Sequence, residues 1–333
     1  MNTDASTAPS SAHAPKWKLG QTSAAAILSK ELPPIKYIVP GYLCEGLTIL
    51  AGKPKIGKSW FALDLAIAVA MGGYALGGND RVTAGDVLYL ALEDNERRLQ
   101  KRLKLLLHSS SSIPERLFID VDCPRLDQGG LQAIECWIMS ANAPRLLIID
   151  VAKKVRAPQK AGDNIYEADY AAFTPSKALA DKYGIAILVL HHTRKQEADD
   201  PFDTVSGSTG LTGVADTVLV LTKDAKGPTL YGRGRDIEEF ETAMRFDKHT
   251  GTWTALGNPE EVRMGDERAS ILKLLLEAIE PMGPNEIAAA LKAEPGSIRQ
   301  LLFQMLKQGQ VEKVARGKYM HPDKAQPSSP TPS

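Results

Sequence analysis

The sequence predicts an α/β protein, with a predominantly parallel sheet as its core and a small helical module after it. Three observations predict this. Six apolar runs alternate with helical patterns between residues 47 and 222. A glycine-rich octapeptide, GKPKIGKS, stands between the first run and the helix that follows it. Nearer the C-terminus, three helical periods are followed by a short hairpin pattern. Near-continuous apolar strands separated by helices imply a parallel sheet covered on both faces.

The chain has 333 residues, 43% of them hydrophobic, enough for a full core and two domains. Residues 1–18 are rich in Ser, Thr, Ala and Pro and read as a disordered segment, as do residues 323–333. Between them the expectation is an α/β core over 19–256, a linker over 257–265 and a second module over 266–322. No apolar stretch reaches the roughly 18 residues of a membrane span, and the N-terminus lacks a signal peptide's apolar core. A cytoplasmic protein without a membrane partner is expected. Cys44, Cys123 and Cys136 lie far apart, without the spacing of a zinc site or a disulfide framework. Forty basic residues balance forty acidic ones, so any nucleic-acid contact must be local.

The octapeptide satisfies the GxxxxGK[ST] template and follows the run 47–50. Backbone N–H groups of a glycine loop opening a helix converge on one point, where the helix dipole also favours an anion. Gly52, Lys53, Pro54, Lys55, Ile56, Gly57, Lys58, Ser59 and the next residue, Trp60, form the expected nucleotide contact set. Lys58 is expected at the β and γ phosphates, and the Ser59 hydroxyl on Mg²⁺. Lys53 and Lys55 read as solvated loop charges. The ligands implied are ATP and Mg²⁺.

The second run, 86–92, ends at Glu93, a carboxylate placed to activate an attacking water. Asp94 is the alternative base, or the N-cap of the basic helix that follows. The third run is 117–121. The fourth, 145–150, ends in Asp150, where a second acidic residue is needed to hold Mg²⁺; the alternative is a helix cap. The fifth, 185–192, ends in His191 and His192, which point to opposite faces and so form no two-histidine metal site. A long polar connection, residues 194–213, leads to the sixth run, 216–222. It carries Arg194, Lys195, Ser206, Ser208 and Thr209, groups able to bind a nucleic-acid backbone. Arg233 and Arg235 follow in a strand, turn and strand pattern, with Asp236, Glu238 and Glu239 as available ion-pair partners.

Helical periods are expected over 267–279, 284–292 and 295–308, with Pro284 in a first turn and Gly309 as a stop. A hairpin with Gly317 at its turn follows, and three helices with a hairpin make a winged helix. Its third helix would offer Ser297, Arg299, Gln300 and Gln304 to duplex DNA, and its wing Lys313, Arg316 and Lys318 to phosphates. The alternative is a module for protein contacts.

From about Tyr42 to Thr254 the chain resembles the RecA-type P-loop ATPases. More closely, it resembles the RepA-like group of hexameric helicases and related ATPases of plasmids, phages and other mobile elements. GKPKIGKS, YLALEDNERRLQKRL, PRLLIID, NIYEADYAAFTPSKALADKYGIAILVLHHTRK, SGSTGLTGVADTVLVL and GRGRDIE carry the resemblance, in the family's order. It implies Glu93 as catalytic glutamate, Asp150 as metal ligand and His192 as the sensor of the γ-phosphate. It implies that Arg233 or Arg235 acts in trans in a homo-oligomer, a hexamer being favoured, and that residues 194–213 face a channel holding single-stranded DNA. The function implied is a DNA-dependent ATPase, a helicase or helicase-like motor of replication or mobile-element maintenance. An ATP-switched DNA-binding regulator is the alternative.

Overall fold

The computed structural model describes residues 20–108, 112–158, 165–193, 198–205 and 210–325. The chain divides into two units, one ending at Ile35 and the other beginning at Lys36. In the first, α1 (Ala24–Leu28) is capped by the Ser23 hydroxyl, which accepts the Ala26 N–H at 3.1 Å.

In the second unit a short hairpin, β1 (Tyr37–Val39) and β2 (Leu43–Cys44), leads into β3 (Gly46–Gly52) and α2 (Lys58–Met71). Next come β4 (Asp86–Ala91), α3 (Glu96–Leu106), β5 (Leu117–Asp120), α4 (Gly130–Ser140) and β6 (Pro144–Asp150). α5 (Ala152–Val155) and α6 (Ile165–Tyr183) precede β7 (Ala186–His192), and α7 (Gly210–Val214) precedes β8 (Thr217–Asp224). β9 (Gly227–Gly234), β10 (Phe240–Phe246) and β11 (Trp253–Gly257) complete the sheet.

These strands form one sheet in the order β11-β10-β9-β8-β3-β7-β6-β4-β5. Pairing from β8 through β5 is parallel, and β9, β10 and β11 extend the β8 edge antiparallel. β3, β4 and most of β6, β7 and β8 are buried on both faces, which is why they read as continuous apolar runs, whereas β5 and β9, β10 and β11 are only partly covered. One face packs Leu50, Tyr89 and Leu188 against Phe61 and Leu65 of α2. The other packs Ile49, Ile149 and Val189 against Phe173 and Leu179 of α6. The sheet is therefore predominantly parallel, as expected from the sequence.

Beyond β11 lie α8 (Pro259–Glu277), α9 (Pro284–Leu291), α10 (Pro295–Lys307), the hairpin β12 (Glu312–Ala315) and β13 (Lys318–Met320), and α11 (Pro322–Ala325). Ile271 and Leu275 of α8, Ile287 of α9 and Ile298, Leu302 and Met305 of α10 share a separate core. Residues 257–265, read as a linker, lie largely within α8. Asn258 caps that helix by accepting the Glu260 and Glu261 N–H groups at 2.8 and 3.3 Å.

Candidate functional site

Parallel register brings the carboxyl ends of four strands to one edge of the sheet. Gly52 of β3 lies opposite His192 of β7, and Ala91 of β4 lies opposite Asp150 of β6. The loop after β3 rises there and turns into α2 through Gly57 (φ 110°). A Cβ on Gly57 would come within 2.8 Å of the Trp253 ring, and one on Gly52 within 2.7 Å of the Leu221 carbonyl oxygen. Both positions are thus closed to side chains. The first helical bond of α2 is Phe61 N–H to the Gly57 carbonyl, 3.0 Å. The N–H groups of Lys58, Ser59 and Trp60 consequently have no helical carbonyl behind them and are available to an anion.

Lys58 is buried, and its Nζ donates to the carbonyl oxygens of Gly52 (2.7 Å) and Lys53 (3.2 Å) and to His192 Nδ1 (3.1 Å). Burial lowers its pKa to about 8 against the opposing pull of Asp150 and Glu93. With Lys58 as donor, His192 Nδ1 is the acceptor and Nε2 carries the hydrogen. Nε2 lies 3.8 Å from Glu93 Oε2, too long for a hydrogen bond. Desolvation and the Lys58 charge hold His192 below its ordinary value. His191 points to the other face, where burial takes it to about 4 and Asp169 and Arg156 are its charged neighbours.

Asp150 is buried at the end of β6, where the Tyr89 hydroxyl donates to its Oδ2 at 2.8 Å and the Ser59 hydroxyl is a favourable polar neighbour. Burial pushes its carboxyl up, and the two hydroxyls pull it down. Hard oxygen donors from Ser59 and Asp150 beside the phosphate-binding loop fit Mg²⁺. When bound, the ion would neutralise charge on transferring phosphate oxygens.

The two candidate bases separate clearly. Asp94 is committed to ion pairs with Arg98 and Arg102, whereas the Glu93 side chain is about half exposed and faces His192. The α3 cap is neither of them but Asn95, whose Oδ1 accepts the Arg98 N–H at 3.0 Å. Lys53, Pro54 and Lys55 are exposed at the top of the loop, with Ile56 partly covered. Trp60 packs on Phe246 and carries the Arg102 guanidinium 5.4 Å above its ring.

Arg233 and Arg235 make their contacts away from the Lys58, Asp150 and Glu93 cluster. Arg233 is paired with Val218 near the start of β8, the end opposite Gly52. Its guanidinium donates to Glu239 at 2.8 and 3.0 Å and to Asp200 at 3.0 Å, and covers the Phe202 ring. Arg235 donates to the Gly213 carbonyl at 3.0 Å. Neither reaches the phosphate loop of its own chain. Arg194, Lys195, Ser206, Ser208 and Thr209 lie outside the described residues.

In the C-terminal module Arg299, Gln300 and Phe303 share the exposed face of α10, and Lys313 and Arg316 are exposed on the hairpin. Ser297 is exposed at the start of α10. Gln304 departs from its expected place: it turns toward α8 and accepts from Arg268 at 3.1 Å. Arg299 donates to Asn285, and Lys318 to both oxygens of Glu286.

Two residues at the site were not anticipated. Tyr89 reads as one more apolar strand residue, and only its period-2 register with Ala91 places it on the Asp150 face. Trp253 of β11 donates its indole N–H to the Gly57 carbonyl at 3.3 Å, while its backbone N–H donates to Asp64 of α2 at 3.1 Å. No local signal connects it to a loop nearly 200 residues earlier.

The AAA domain family matches residues 13–198, over half of the chain. Among solved structures, an ATPase domain aligns with a TM-score of 0.53 at 16% identity, covering 67% of this chain and 92% of its own. A DnaB-like replicative helicase, solved for its interactions with primase, aligns with a TM-score of 0.51 at 16% identity, covering 69% of this chain and 66% of its own. At such identities the likeness is one of fold alone, an α/β core built on a predominantly parallel sheet. No curated protein matches the chain.

Proposed function

The chain belongs to the AAA domain family, and on that premise we propose that it is a DNA-dependent ATPase, a helicase-like motor of the RepA-like hexameric group. The observation that carries the reading is the convergence of Lys58, Ser59, Asp150, Glu93 and His192 on one sheet edge. Lys58 and the loop amides bind the phosphates of ATP, Ser59 and Asp150 hold Mg²⁺, and Glu93 orients the attacking water. His192, between Lys58 and Glu93, registers whether the γ-phosphate is present. Arg233 and Arg235, not bonded to their own loop, suit a finger acting in trans in a homo-oligomer. The loop holding Lys195, Ser206 and Ser208 is proposed to meet single-stranded DNA. The C-terminal module is proposed as a winged helix contacting duplex DNA through Arg299, Gln300, Lys313, Arg316 and Lys318.

A second reading, an ATP-switched DNA-binding regulator that does not unwind, is favoured by one observation. Arg233 is bound on both sides by Glu239 and Asp200, which must be broken before it can serve a neighbour. Phosphate release measured with and without single-stranded DNA decides between them. The motor predicts turnover stimulated by the strand, abolished in Lys58→Ala with loss of ATP binding, and reduced by a factor of about 10² or more in Glu93→Gln with binding kept. Tight ATP binding without turnover in either condition would leave only the switch.

A further inference from the structure

We propose that Tyr89 is a positioning residue for the metal-binding carboxylate, its hydroxyl fixing Asp150 against Ser59 for the cation that accompanies the nucleotide. The inference rests on the nucleotide reading of this site. Tyr89 sits in β4, two residues before the strand end, opposite Ile148 of β6. Alternation puts Tyr89, Ala91, Ile148 and Asp150 toward the α2 side of the sheet, where Ser59 begins the helix. The ring is 1% exposed, so its hydroxyl must find a partner inside the protein. Two acceptors are in reach, Asp150 Oδ2 at 2.8 Å and the Ser59 carbonyl at 3.4 Å, and the hydroxyl has one proton. The shorter contact takes it. A phenylalanine would fill the same volume, so packing alone leaves the oxygen unexplained. Burial and the Asp150 charge raise the phenol well above its ordinary value, and it stays a donor.

Hydrogen bonds that orient a ligating group typically change metal affinity 10- to 100-fold when removed. The test is titration of a fluorescent ATP analogue on the full chain, in EDTA and across a Mg²⁺ series. For Tyr89→Phe the Mg²⁺ concentration giving half-maximal tightening should rise about 10- to 100-fold, with affinity in EDTA unchanged. In an Asp150→Ala background the same substitution should change nothing further. A folded Tyr89→Phe protein with the wild-type Mg²⁺ midpoint would overturn the proposal, as would an equal effect in both backgrounds. If the phenylalanine variant fails to fold, Tyr89→Leu takes its place with the same expected shift. Failure of the wild-type chain to bind the analogue under any condition would instead remove the nucleotide reading itself.

Discussion

Lys58 shows how one residue type at one position acquires a testable property from its surroundings. Its ammonium is held by two backbone carbonyls and His192, in a cavity dry enough to lower its pKa to about 8. Nucleotide phosphates favour the charged form, so the bound-state pKa must lie higher. Below pH 8 the group is already protonated and affinity is insensitive to it. Above pH 8 binding must take up a proton, and affinity falls, by at most about tenfold per pH unit. Calorimetry at pH 8 in buffers of different ionisation enthalpy should register uptake of about half a proton, an uptake that Lys58→Arg removes. Heats independent of the buffer would show that Lys58 does not titrate there. The place of Lys58 at the loop was legible because a short pattern fixes that loop. Tyr89 was not, because a buried tyrosine on an apolar strand looks the same whether or not its hydroxyl meets a carboxylate.

Among the elements, the six parallel strands were legible to within two residues, five of them because burial on both faces writes an apolar run into the sequence, while edge β5 alternates. β11 was missed. It is five residues long, half exposed at its end, and stabilised by contacts with α2 that no local pattern reports. Residues 257–265 looked like a linker because the first two turns of α8 are polar and contain Gly265. The start signal was nevertheless present: Asn258 at the cap, Pro259 in the first turn, then Glu260 and Glu261 at the positive end of the dipole. This helix carries the sheet into the C-terminal module, so its first turn is structural. Asn258→Ala should cost about 1 kcal/mol and speed amide exchange at Glu260 and Glu261, readable by hydrogen exchange. Unchanged exchange there would mean that packing, rather than the cap, holds the turn.

At the scale of the whole molecule, zero net charge conceals a local imbalance. From residue 298 to 324, six basic residues face two acidic ones. The structure divides those six by partner. Arg299 is bonded to Asn285, Lys318 to Glu286 and Lys324 to the Ala278 carbonyl, while Lys307, Lys313 and Arg316 are exposed on α10 and the hairpin without such a bond among the described residues. If this face meets duplex DNA, each phosphate neutralised releases counterions, and the slope of log affinity against log salt measures their number. The three charges not hydrogen-bonded within the module predict a slope of about −3, since each contact contributes roughly 0.9. Replacing Lys313 and Arg316 by glutamate should remove about two contacts' worth of that slope and weaken binding without regard to sequence. Nucleotide binding should not change, because neither residue lies near the phosphate loop's sheet edge. The measurement is duplex binding by anisotropy over a salt series, wild type against Lys313→Glu/Arg316→Glu. A slope near zero in the wild type, or an unchanged one in the variant, would assign the module to protein contacts. The strand-stimulated turnover proposed for the sheet edge would then depend on the channel loop alone.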